Sequence, residues 1–62
     1  MSEPTGILAD ILEQLDETTG TILLEHIVGG TPATWISAEL TKAGYKISAT
    51  TIKEQRARLR ND

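Results

Sequence analysis

The stretch TPATWISAELTKAGYKISATTIKEQRARLR, residues 31–60, contains the clearest helix boundaries in the chain. Thr31 and Pro32 are typical of a helix start, because threonine caps free N–H groups and proline suits the first helical position. Gly44 is the residue expected just past a helix end, where the backbone turns left-handed. Ser48 then indicates a second N-cap. The stretch therefore predicts a helix, a turn and a second helix.

Each of these two predicted helices has one apolar face. The face of the first, with Trp35 at its edge, consists of Ala33, Ile36, Leu40 and Ala43. The inner face of the second, Ser48 to Arg60, consists of Ile52 and Leu59, flanked by Ala49, Gln55 and the stem of Arg56. Its opposite face carries Thr50, Lys53, Glu54 and Ala57. So few apolar residues predict weak docking of the second helix, as expected if its outer face binds something else.

A further helix is predicted to begin near Pro4–Thr5 and run to Asp16. Its apolar residues share one arc at helical spacing: Ile7, Leu8, Ile11, Leu12 and Leu15. The polar cluster from Asp16 to Gly20 is expected to end it.

The segment from Thr21 to Val28 is predicted to be another helix, ended by Gly29 and Gly30. A β-strand is the competing interpretation, and the helix is favoured because Glu25 and His26 break a period-two alternation. Apolar residues spread around most of its circumference. We therefore expect this helix to be buried on several sides or shared with another subunit.

The net charge of −3 conceals an asymmetry between the two halves. Residues 1–28 contain six acidic residues and no Lys or Arg, whereas residues 29–62 contain all six cations against three acidic residues. Clustered cations favour a nucleic-acid surface at the C-terminal end. The alternative is that the arginines only complement the negative end of their own helix, which explains Lys46 and Lys53 less well.

Composition argues against several other classes of protein. Sixty-two residues without cysteine form one small domain with no disulfide or thiolate site. Neither a signal peptide nor an apolar run of 18 residues is recognisable, so a cytoplasmic protein with no membrane contact is expected. No metal, cofactor, small-molecule substrate or enzymatic activity is expected.

His26 is expected to be a partly buried structural residue, and Trp35 a core residue more than a stacking platform. The acidic residues Asp10, Glu13, Asp16 and Glu17 are expected to face water.

The segment from Trp35 to Leu59 resembles a helix-turn-helix. Its pattern of core, small and turn residues is matched by Ile36, Ala38 or Ala43, Leu40, Gly44, Ser48 and Ile52. Leu40-Thr-Lys-Ala-Gly44-Tyr45 followed by Ala49-Thr-Thr-Ile52 also resembles the DNA-binding domain of bacterial arginine repressors, and similar segments occur in small phage and actinobacterial DNA-binding proteins. The turn is about two residues longer than the tightest type. No wing is expected, since the sequence stops at Asp62, and the arginine-binding core domain has no counterpart. The resemblance implies the fold and DNA binding, not arginine sensing.

The expected fold is all-α, a three-to-four-helix bundle forming a single domain over residues 1–62. Residues 1–30 are the acidic support and dimerisation part, and residues 31–62 are the helix-turn-helix. The expected function is sequence-selective binding of double-stranded DNA by a homodimeric transcriptional regulator of phage or bacterial type. The alternatives are a protein-interaction or inhibitor module that uses the acidic, apolar N-terminal helices, and a small architectural or packaging DNA-binding protein.

The expected DNA contacts follow from the insertion of one helix into the major groove. Thr50 and Lys53 are expected to read bases or nearby phosphates, and Glu54 to accept from cytosine N4 or to repel phosphate at other sequences. Ser48 and the free N–H groups beside it are expected to bind a phosphate. The remaining expected contacts, mostly to the DNA backbone, are Lys46, Thr51, Arg56, Arg58 and Arg60.

Overall fold

A computed structural model describes residues 3–61 and shows four α-helices packed into a small bundle, with no β-strand in that range. The helices are α1 (Gly6–Gln14), α2 (Glu17–Gly29), α3 (Ala33–Lys42) and α4 (Ala49–Arg60). The predicted all-α class is therefore confirmed. Met1, Ser2 and Asp62, the ends of the predicted domain 1–62, lie outside the described residues. Within the described range, no helix has the length and apolar character needed to cross a membrane.

The boundary between α1 and α2 differs from the prediction. The first helix ends at Gln14 instead of Asp16, and α2 begins four residues before Thr21, at Glu17. The cause is Asp16, whose carboxylate accepts a hydrogen bond from the Thr19 N–H at 3.1 Å and caps α2. The polar cluster that was expected to end one helix therefore begins the next.

The start of α3 is also shifted, by one residue. Pro32 lies at the N-cap and not inside the first turn, and its carbonyl accepts hydrogen bonds from the N–H groups of Trp35 and Ile36. Thr31, the predicted cap, instead uses its hydroxyl to contact the His26 ring at 2.8 Å. Proline has a fixed φ and lacks an N–H, so it suits the N-cap and the first helical position equally. Only the surrounding packing determines which of the two it takes.

The core collects apolar residues from all four helices and from the turn before α4. Its buried members are Leu8, Ile11, Leu23, Ile27, Ala33, Ile36, Leu40, Ile47 and Ile52. The predicted inner faces of α3 and α4 are confirmed, except that Ala43 is exposed and Leu59 is only partly buried. Within this chain α2 is not buried on several sides, because Ile22 and Val28 are exposed, so of the two expectations for this helix the sharing with another subunit stays a prediction.

Candidate nucleic-acid interface

The turn between α3 and α4 is held in a defined conformation by its own backbone. Gly44 has φ +100, and the Tyr45 N–H donates to the Leu40 carbonyl at 2.8 Å while the Gly44 N–H donates to the Thr41 carbonyl. This pair of bonds is the Schellman arrangement that glycine permits at a helix end. The predicted role of Gly44 as the left-handed residue after α3 is confirmed.

Two residues that sequence reasoning did not single out fasten the same turn. The Ser37 hydroxyl donates to the Ile47 carbonyl at 2.6 Å, and the Ile47 side chain is buried in the core. The alternation of Tyr45 and Ile47 around Lys46 was the available signal, since it directs two apolar side chains inward and leaves the lysine outward. As a result, Lys46 is held exposed next to the start of α4.

The N-terminus of α4 is capped by Ser48, as predicted. The Ser48 hydroxyl accepts from the Thr51 N–H at 3.1 Å and lies 3.0 Å from the Thr51 hydroxyl. Both hydroxyls are therefore committed to the cap, so the part of the predicted phosphate site that remains is the set of N–H groups in the first turn.

The outer face of α4 is open. Thr50, Lys53, Glu54 and Ala57 are all exposed, whereas Ile52 and Gln55 on the opposite face are buried. Arg58 is exposed beside this face. The helix therefore presents a polar surface containing both signs of charge, with a small residue, Ala57, toward its C-terminal end.

Two of the predicted phosphate contacts are used inside the protein. Arg56 donates from Nε to the Ile27 carbonyl at 2.6 Å and from its second guanidinium nitrogen to the Thr31 carbonyl. Arg60 donates to the Val28 carbonyl at 3.1 and 2.8 Å. The last carbonyls of a helix have no partner in that helix and carry partial negative charge, so guanidinium groups are favourable there. These arginines tie α4 to the C-terminus of α2.

Gln55 provides a third attachment, to the residue before α1. Its side-chain oxygen accepts from the Thr5 N–H at 3.2 Å, and its nitrogen donates to the Thr5 carbonyl and hydroxyl. The sequence placed Gln55 on the flank of the inner face without assigning it a partner. A partner 50 residues away leaves no local signal.

The surface cations that remain for an outside ligand are Lys46, Lys53 and Arg58, all exposed. Lys42 is engaged with Glu39 at 3.3 Å. The side chains of Asp10, Glu13, Asp16 and Glu17 face water as predicted. The candidate interface is therefore the outer face of α4, with Lys46 and Lys53 near its N-terminal half and Arg58 in its last turn, on the opposite side from the attachments of the helix.

His26 and Trp35 both lie in more exposed positions than predicted. His26 is exposed and not partly buried, because it lies on the open side of α2, where its ring stands 5.7 Å from that of Trp35. Trp35 itself is half exposed and so is not a core residue. Among residues 3–61, no group of three or more His, Cys, Asp and Glu side chains is arranged to hold a metal ion.

Comparison of the chain with protein-family models, with curated proteins and with solved structures finds no match in any of the three.

Proposed function

We propose that this protein is a sequence-selective DNA-binding domain in which α3, the turn and α4 act as a helix-turn-helix. The observation that carries the proposal is the contrast between the two sides of α4. One side is fastened to the rest of the protein through Ile52, Gln55 and Arg56, and the other presents an uncovered polar face. An α-helix held in this way fits the major groove, which is about 12 Å wide.

Each exposed side chain has a role in this proposal. Thr50, Lys53 and Glu54 occupy the N-terminal half of α4, which reaches base edges when a recognition helix enters the groove. Lys46 precedes that half, Arg58 lies in the last turn of α4, and both contact phosphates, which orient the protein but carry no sequence information. Ala57 leaves room for the close approach of a base edge or a thymine methyl group.

The arrangement revises the expected strength of electrostatic binding. Five cations were expected to contact DNA, but Arg56 and Arg60 donate to backbone carbonyls. Three cations remain. The logarithm of the binding constant should therefore fall with the logarithm of salt concentration at a slope of about −3 for each domain.

A regulator that works at specific sites on DNA needs more contact than one such helix supplies. Single modules bury about 600–1,000 Å² of surface, and paired domains on a two-fold site are the common solution. We therefore include a homodimer in the proposal, with a phage or bacterial transcriptional regulator acting in the cytoplasm as its biological setting.

The test is fluorescence anisotropy of a labelled mixed-sequence duplex, titrated at low and at physiological salt. We expect binding that weakens as salt rises, with Lys53→Ala and Arg58→Ala each reducing the salt slope by about 0.9. Lys42→Ala is the matched control, because it removes the same charge from a residue already paired with Glu39. Its slope should equal that of the unaltered protein.

Circular dichroism of each variant must show an unchanged helical signal for this comparison to hold. Absence of binding at low salt would contradict the proposal and leave the protein-interaction module as the better interpretation. Equal losses from Lys53→Ala and Lys42→Ala would mean that net charge, and not the face of α4, governs binding.

A further inference from the structure

A half-open apolar groove lies between α2 and α3, away from the proposed DNA surface. It encloses about 250 Å³, and its walls include Leu15, Ile22, Trp35, Leu40 and Tyr45. No residue of α4 contributes to it. A ligand or partner in this groove would therefore leave the outer face of α4 uncovered.

Two large apolar side chains of the groove wall project into solvent. Ile22 and Trp35 are each 50% exposed. The His26 ring lies against Trp35 at 5.7 Å and is itself bonded to the Thr31 hydroxyl at 2.8 Å. The groove thus combines a projecting aromatic residue, held by its neighbours, with an apolar recess on the same patch.

We propose that this groove is the contact surface between two copies of the chain, with Trp35 of each copy inserted into the groove of the other. A two-fold contact uses one patch twice, so the patch must contain both the projection and the recess that receives it. Tryptophan is also the residue type most enriched among those that dominate binding energy at interfaces.

The charges around the groove favour a second copy over a strongly acidic or basic partner. Glu39 is the one charged residue in the groove wall within residues 3–61, and it pairs with Lys42 on the same helix at 3.3 Å. The patch therefore carries no net charge there, so two copies meet without repulsion. Across a two-fold axis, Glu39 of each copy can form an ion pair with Lys42 of the other. An uncharged partner cannot make this interaction.

The size of the domain permits this contact. Its total accessible surface is 4096 Å², and a specific interface needs about 500 Å² from each partner, which is about an eighth of that surface. A patch of that size is available on so small a domain, and dimers are favoured further when both copies occupy one DNA site.

The dimensions agree with paired binding, and this step alone rests on the proposed function. Half-sites one helical turn apart are separated by about 34–36 Å, so each α4 must lie about 17–18 Å from the two-fold axis. The domain measures 29 × 23 × 19 Å. Each of these extents exceeds 18 Å, so a helix at the surface opposite the groove can lie at that distance from the axis.

Trp35 allows the contact to be observed directly, because it is the only tryptophan in the chain. We would measure mass by sedimentation equilibrium and Trp35 emission over a concentration series, without DNA. The expected result is a monomer–dimer equilibrium in which the emission shifts to shorter wavelength and acrylamide quenching falls as dimer forms. Ile22→Gln should weaken the association at least tenfold.

Val28→Gln is the matched control, since Val28 is on the same helix, 42% exposed and outside the groove wall. Its dimerisation should be unchanged. A monomer at every concentration, or equal weakening by both variants, would overturn the proposal. Because no DNA is present, a failed dimer test leaves the DNA-binding proposal standing, and Lys53→Ala, which removes DNA contact, should leave the dimer intact.

Discussion

The N-terminal half of the molecule, α1 and α2, and the C-terminal half, α3 and α4, are both helical pairs whose second helix has a side-chain N-cap, but the two halves differ in charge. Residues 1–28 carry six acidic residues and no Lys or Arg, whereas every cation lies beyond residue 41. The N-terminal half supplies acceptors, which are the carbonyls at the end of α2. The C-terminal half supplies the arginines that bind them.

This difference divides the cations of α4 into two sets. Arg56 and Arg60 contact α2, and Lys53 and Arg58 remain exposed. Their sequence positions are interleaved, so composition alone does not separate the cations that bind α2 from those that stay exposed. The direction of each side chain from the helix axis does.

The strongest test of the comparison is whether the two halves fold separately. Ile52 of α4 is fully buried in the common core, so Ile52→Ala should cost about 2–5 kcal/mol. That approaches the entire stability of a domain this small, about 3–5 kcal/mol. We expect the far-ultraviolet circular dichroism of the whole chain to collapse. Retention of half of the helical signal would show that the two halves are independent, and Ile7→Ala, at an exposed position, is the control.

The attachment between the halves is tested by Arg56→Met, which keeps an apolar stem but removes the guanidinium group. The Ile27 and Thr31 carbonyls then lose a charged donor, and we expect the free energy of unfolding to fall by about 1.5–3 kcal/mol. Urea denaturation followed by circular dichroism measures this. The same substitution at exposed Arg58 should change stability by less than about 0.5 kcal/mol. Similar losses of stability at both positions would show that the hydrogen bonds of Arg56 are not the cause.

A smaller effect is expected at the contact between Gln55 and Thr5. Gln55→Leu removes three hydrogen bonds between the buried Gln55 side chain and Thr5. Because Thr5 is exposed, water replaces its lost partner in part, and we expect a loss of about 0.5–1.5 kcal/mol. Hydrogen exchange at the Thr5 amide should become faster. Gln14→Leu, on the exposed side of α1, should leave that rate unchanged. An unaltered Thr5 rate in Gln55→Leu would mean that the N-terminal segment is held by packing alone.

The smallest expected effect separates the two helix caps by pH. The hydrogen bonds from Thr19 lower the pKa of Asp16 below its ordinary value of 3.8, because they favour the carboxylate. Asp16 therefore contributes stability that is fully present above pH 3.8 and is lost as the pH falls through the lowered value. Asn is also a good N-cap but does not titrate in this range. The melting temperature of the unaltered protein, relative to that of Asp16→Asn, should thus be higher at pH 7 than in strong acid.

Ser48 gives the contrasting case, since its hydroxyl does not titrate in this range. Ser48→Ala should destabilise α4 by about 1 kcal/mol, equally at neutral and at acid pH. If the difference between Ser48→Ala and the unaltered protein depended on pH as that of Asp16→Asn does, the charge on Asp16 would not be the cause.

The sequence by itself determined the features that depend on neighbours a few residues apart. Gly44 and Ser48 define the turn, since a left-handed backbone and an N-cap each require particular residue types at one position. The apolar spacing identified the buried faces of α3 and α4. Local reasoning was wrong at residues 14–20, where a cluster compatible with a helix end proved to be a helix start. Asp16 and Thr19, three residues apart, were the available signal.

Tertiary structure alone decided which polar residues are used inside the protein. Arg56 meets carbonyls 25 and 29 residues away, and Gln55 meets Thr5 across 50 residues. It also decided that Ile22 and Trp35 stand on one open groove. The physical reason is that hydrogen bonding and burial depend on distance in space, whereas periodicity and capping are set along the chain.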